Sequence, residues 1–231
     1  MMKILKRILP VLLIVGMLLC AGCAPSGDNV ARAEEPPRND TMVDLIGKTK
    51  DEVLTFLSLE ETDLTEFSLD TYKTPLEITY VGVKMHLLLQ FGPIENVLNG
   101  ITYMAEYQGE PERAAKEMLA VAKEIQGVFG TPDVGNNAPV WEMTESDIAT
   151  AITKKNLSKE HTWFMEGPAS NFMEDYINKL AETPLYKGYQ EMNMKPGYRC
   201  NLLASAYTEE GEDTPTAYLL LVYNIGAVKA S

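Results

Sequence analysis

The sequence predicts an α+β fold in which helices pack on one face of an antiparallel sheet or sheets. Three observations carry this. Apolar residues alternate with two-residue period from Val81 to Phe91, as in a half-buried strand. Strand-like runs adjacent in the chain are separated by hairpin-length loops, which favours antiparallel pairing. Helical patterns stand between groups of such runs, so the order is helix, strands, helix, strands, helix, strands.

The first helix is expected in "GKTKDEVLTFLSL", where Thr49 followed three residues later by Glu52 is a capping-box pattern. Val53, Leu54, Phe56 and Leu57 then give one apolar helical face. In the strand that follows, Val81, Val83, Met85, Leu87, Leu89 and Phe91 share a side; Lys84, His86 and Gln90 take the other, with Leu88 among them. "GPIENVLNG" turns the chain and "ITYMAEYQ" (101–108) returns it.

The strongest helical pattern spans 111–130, with Pro111 in the first turn, a stripe of Met118, Ala122, Ile125 and Phe129, and Gly130 then Pro132 as the stop. "TPDVGNNAP" (131–139) reads as a loop. A short strand around Trp141, a helix from Ser146 to Lys154, a strand over 161–166 and a helix over 168–182 follow. Two long strands close the chain. Tyr198, Cys200, Leu202 and Ala204 share a face of the first; the second, 216–228, is apolar on both faces and is expected at the centre of its sheet. The layout admits one domain over 42–231 or two similar lobes, 42–132 and 133–231. "GKTKDEVLTFL" is similar to the opening helix of small envelope lipoproteins and β-lactamase-inhibitor-like domains, which implies helices packed on one face of an antiparallel sheet.

The N-terminus reads as an address. Lys3, Lys6 and Arg7 precede an apolar run, Ile8 to Leu19, shorter than the roughly 20 residues a membrane-spanning helix needs. Small residues follow at Ala21 and Gly22, as a peptidase site requires. On these residues alone, a cleaved secretion signal and a short uncleaved anchor both stand. "CAGC", Cys20 to Cys23, resembles the lipobox of bacterial lipoproteins, with Cys20 standing where Leu is usual. That resemblance implies a signal peptide over 1–22, removed on maturation, and lipid attached to Cys23. It implies a protein on the extracytoplasmic face of the cell membrane, with sorting to the outer membrane where the host has one, since Ala24 is not the retention Asp of that class. Stable anchoring takes about two acyl chains. Residues 23–41, rich in Pro, Gly, Asp, Asn and Glu, are expected to act as a flexible tether.

Composition narrows the function classes. The chain has 33 acidic against 20 basic residues, a formal charge of −13. Such a field disfavours nucleic acid and anionic lipid surfaces as partners. Of the three cysteines, only Cys200 lies in the body, so an intramolecular disulfide there is ruled out and stability must come from a core.

Catalytic and metal signatures are missing. His86 and His161 are the two histidines, without the spacing of a zinc site, and His86 falls on the polar side of a strand. The face-mates of Cys200 make it a core residue rather than a nucleophile. G-x-S-x-G, S-x-x-K, a Gly-rich phosphate loop and a calcium loop are all absent. Neither a catalytic residue, a metal ligand nor a cofactor is therefore named. Clustered aromatics remain: Trp141 and Trp163, and Tyr103 and Tyr107, the latter two sharing a face with Ile101 and Ala105. These residue types serve both cores and binding surfaces, and these four are the candidate ligand-binding residues. The expected function is a membrane-tethered binding module for an envelope protein or small ligand, acting through a sheet face or an inter-lobe groove. A structural or assembly lipoprotein is the alternative, and an envelope hydrolase the second alternative.

Overall fold

The computed structural model describes residues 21–22, 45–92, 94, 96–135, 138–165, 171–190, 192–208 and 213–229. The expected leader, apart from Ala21–Gly22, together with Cys23 and the tether, lies outside the described residues.

The fold is α+β and its sheet is antiparallel throughout. Ala21–Gly22 (β1) pairs with two residues of the last strand. The main strands are β2 (Thr65–Ser68), β3 (Thr71–Tyr80), β4 (Val83–Phe91), β5 (Leu98–Gln108), β6 (Val134–Gly135), β7 (Ser158–Met165), β8 (Met194–Tyr207) and β9 (Thr216–Lys229). Their spatial order is β2-β3-β4-β5-β9-β8-β7-β6. Two meanders, β2 to β5 and β6 to β9, thus meet through their last strands. β5 and β9 pair from Gly100↔Asn224 to Gln108↔Thr216, which makes one continuous sheet. β9 lies between β5 and β8, the central place its two apolar faces require.

Local chemistry sets the helices. Thr49 caps α1 (Lys50–Leu57): its Oγ1 accepts from the Glu52 N–H, and Glu52 reaches back to the Thr49 N–H at 2.8 Å. α2 (Pro111–Phe129) opens with Pro at its first position, where the missing N–H costs nothing, and stops at Gly130. It buries Met118, Ala122 and Ile125, while Phe129 at its end stays half-buried. α3 (Glu145–Thr153) has a second capping box, Thr144 with Asp147, so it begins one residue before the expected start. α4 (Asn171–Ala181) is followed by α5 (Pro184–Gln190). Thr183-Pro184 therefore ends one helix and starts the next, Pro184 being acceptable at a first position.

Three further departures have local causes. β2 and β3 occupy a stretch without clean alternation, because the register slips between Lys73 and Glu77, around Pro75. A proline cannot donate to the ladder and is accommodated at such a bulge. β4 starts at Val83 rather than Val81. Val81 and Gly82 have φ of 51° and 75° and form the two-residue hairpin turn, a left-handed geometry that glycine adopts freely and valine does not. The expected strand at Trp141 is a 3₁₀ turn, Val140–Glu142, held between Pro139 and the Thr144 cap. That span is too short for a paired strand.

The sheet has two unlike faces. On one, Leu87 and Leu89 of β4, Ile101 and Tyr103 of β5, Leu219 and Leu221 of β9 and Cys200 and Leu202 of β8 join residues of α1, α2, α3 and α4 in the main core. Each fully buried Leu, Ile or Phe side chain there contributes about 1.5–3 kcal/mol. α4 is tied in by the Tyr176 hydroxyl, which donates to Asn99 Oδ1 at 3.4 Å. The other face holds a second cluster: Leu88, Met104, Leu203, Leu220 and Val222, flanked by Phe67 and Tyr218. All seven are strand residues, the five of the cluster are 1–7 % exposed, and among the described residues no helical one enters it.

Candidate functional site

The four candidate aromatics fall in two places, and three are buried. Tyr103 and Tyr107 project from β5 into the main core, 4 % and 2 % exposed. Tyr103 meets Tyr223 edge to face, ring centroids 6.2 Å apart. Burial pushes both phenols up from their ordinary range; at Tyr107 the neighbouring Glu117 carboxylate adds to it. The Arg113 guanidinium lies 5.6 Å from the Tyr107 ring centre. The Tyr103 contact joins β5 to β9, and those of Tyr107 with Arg113 and Glu117 hold α2 on the sheet.

Trp141 and Trp163 do come together, 5.9 Å between ring centroids. Trp163 is 2 % exposed, and its Nε1–H donates to the Gly130 carbonyl at 3.0 Å, fastening the end of α2 to β7. Trp141, on the 3₁₀ turn, is half-buried. Beside them sits His161, 1 % exposed, its ring 4.5 Å from that of Trp141 and 6.5 Å from that of Trp163. The two tryptophans and the histidine thus form one cluster of rings.

His86 lies on the second face of the sheet, half-exposed, with Nδ1 3.6 Å from Glu77. Burial, and then Lys73, hold its pKa below the ordinary value despite the Glu77 carboxylate. Cys200 is fully buried, and burial pushes its thiol far above the ordinary value, only partly offset by its hydrogen bond with Tyr223. A neutral, enclosed thiol is no nucleophile. Cys200→Ser should cost about 1–3 kcal/mol by denaturant titration, because a hydroxyl is more expensive to bury than a thiol. Native protein should resist alkylation at Cys200; rapid reaction with a thiol reagent would contradict the burial.

Among the described residues, no group of three or more His, Cys, Asp or Glu side chains could hold a metal ion. An open groove of about 390 Å³ lies between α2 and α3, lined by Glu112, Glu145, Ser146, Thr150 and Thr153 with Lys154. It holds neither an aromatic side chain nor a histidine.

The second face of the sheet has a more definite chemistry. Its apolar part runs across β4, β5, β9 and β8, since Met104 pairs with Leu220 and Leu220 with Leu203. Tyr218 and Tyr207, both half-buried, stack at its border with ring centroids 5.2 Å apart. A polar part adjoins it. Asn201, directly opposite Val222, is 1 % exposed, and its Oδ1 accepts from the Thr162 hydroxyl at 2.7 Å. Its Nδ2, buried, has no hydrogen-bond partner, and neither has Ser205 Oγ two positions past Leu203. Glu160, opposite Leu203, has its pKa raised by burial, which the Arg199 charge partly offsets.

Sequence reasoning did not name this surface, yet two of its signals were present: Leu88 on the polar side of its strand, and a last strand apolar on both faces. Compared with known proteins, the chain matches no family model, no curated protein and no solved structure.

Proposed function

We propose that the protein is a membrane-tethered, extracytoplasmic binding module that recognises an envelope protein through the sheet face opposite its helices. The observation that carries this reading is the second cluster, five buried apolar residues spread over four strands, 1–7 % exposed, to which no described helix contributes a residue. The described helices do not supply its cover, and our reading is that in the envelope a partner takes that place. Buried donors with no acceptor support the same reading. Asn201 Nδ2 and Ser205 Oγ flank Leu203, and leaving such groups unmatched costs about 1–3 kcal/mol each. A partner offering carbonyl or carboxylate oxygens beside apolar side chains removes that cost. Breadth favours a protein over a small molecule, whose sites are enclosed cavities.

The tether rests on the lipobox-like residues Cys20 to Cys23. No described helix is long and apolar enough to cross a membrane. Lipid on Cys23 supplies the anchor, and residues 24–41 the distance from it. Cys23→Ala should therefore move the protein from the detergent phase to the aqueous phase on partitioning; unchanged partitioning would reject the anchor.

Crosslinking capture from the native envelope tests the binding role. A single protein should be recovered stoichiometrically by the native chain and lost with Phe67→Ser/Tyr218→Ser, at unchanged melting temperature. Both side chains are half-buried at the border of the cluster, so their removal leaves the main core intact. Capture that survives the double substitution would move the interaction elsewhere; recovery of nothing would favour a small ligand.

A further inference from the structure

His161 occupies a place that only its neutral form fits. The ring is 1 % exposed, and neither Nδ1 nor Nε2 has a hydrogen-bond partner. Trp141 stands 4.5 Å from it on one side, and Trp163 is its neighbour on β7 at 6.5 Å. Gly135 of β6 closes over Nδ1: a Cβ built at Gly135 would stand 2.6 Å from that atom. The cover is thin. β6 contributes two paired residues, Val134↔Thr162 and Gly135↔His161, and the 3₁₀ turn contributes Trp141.

We propose that His161 is a proton-operated latch: protonation of its enclosed ring releases β6 and the Val140–Glu142 turn from the edge of the sheet.

The charges around the ring agree. On its own strand, Lys159 is the charged group whose field reaches it, and it opposes protonation. Glu160 is on the opposite face of the strand, opposite Leu203. At the entry to β6, the Asp133 carboxylate accepts the Phe164 N–H at 2.7 Å. Glu142 of the 3₁₀ turn is exposed. β8 places Leu202 opposite His161, with the neutral Cys200 thiol opposite Trp163. α2 presents Phe129, packed on Trp163 at 5.9 Å. No carboxylate among these is paired with the imidazole.

Desolvation, and then Lys159, hold the ring's pKa down to about 4 from its ordinary 6.5. The opened form, with a solvated ring, therefore binds more protons between these two values. Opening is unfavourable above pH 6.5 and grows as the pH falls through 6.5 toward 4.

The chain carries its own reporter, because Trp141 and Trp163 are its only tryptophans. Intrinsic fluorescence of the full chain, titrated from pH 8 to pH 3.5, should show a reversible step centred between about pH 4 and 6.5. His161→Phe should remove the step, and His86→Gln should leave it in place. Native-chain hydrogen exchange, corrected for the intrinsic pH dependence, provides a second reading that needs no variant. Amides of Asp133–Gly135 and Val140–Glu142 should lose at least tenfold protection at pH 4.5 relative to pH 7, while those of β5 and β9 keep theirs. A flat fluorescence titration, a step that persists in His161→Phe, or uniform exchange across the sheet would each overturn the latch.

Discussion

Gly100→Val should destabilise the protein by about 3 kcal/mol, a large fraction of the 5–15 kcal/mol that holds a typical domain folded. Gly100 faces Asn224 where the two meanders join. A Cβ there would lie 2.4 Å from the Asn224 Cβ and 3.2 Å from Gln90 Oε1. The first of these atoms is fixed to the backbone and cannot swing aside, so β5 and β9 must move apart. That pair holds together everything built on either meander. The loss should appear as a lower denaturant midpoint with an unchanged slope. Gly127 is the contrast. It is exposed in α2, and a Cβ there meets nothing within 4 Å. Gly127→Ala should therefore raise stability by about 0.5–1 kcal/mol through helix propensity. Equal effects at the two positions would mean that β5 and β9 are not in contact as described.

Leu221→Ala and Leu220→Ala should differ, although the residues are neighbours on one strand. Leu221 is fully buried in the core shared by sheet and helices. Its truncation leaves a cavity walled on both sides, which costs about 3 kcal/mol or more. Leu220 points the other way, into the cluster of strand residues. In partner-free protein lacking leader and tether, Leu220→Ala should cost less than about 1.5 kcal/mol, because no described helix forms the far wall of the gap. Matched urea titrations decide this. Equal losses would show that the second face is a closed core in its own right, and would remove the ground for reading it as a binding surface.

What was legible in the sequence was whatever local pattern controls. The Thr49–Glu52 capping box, the Pro111-to-Gly130 helix and the alternation along β4 are decided within a few residues, and the structure has them. β3 was hidden because Pro75 and its bulge break the two-residue period that reveals a strand. The helix at Pro184–Gln190 was hidden because a proline after a helix reads as a stop, although it equally suits a start. The candidate site was harder for a different reason. Whether Tyr103 lines a surface or a core depends on α2 and β9 lying against it, and β9 is remote in sequence. The surface itself is composed across strands: Met104, Leu220 and Leu203 become neighbours only once β5, β9 and β8 pair. His161 likewise looked like an unremarkable strand residue until Trp141 and Gly135 enclosed it.

The most direct test of the binding-face account is site-resolved photo-crosslinking in the intact envelope. A photoreactive side chain is placed at Tyr218, on the border of the second face, or at Thr150, on the groove between α2 and α3. The account predicts one discrete protein adduct from position 218 and none from position 150. An adduct from position 150 alone, or the same adducts from both, would contradict it.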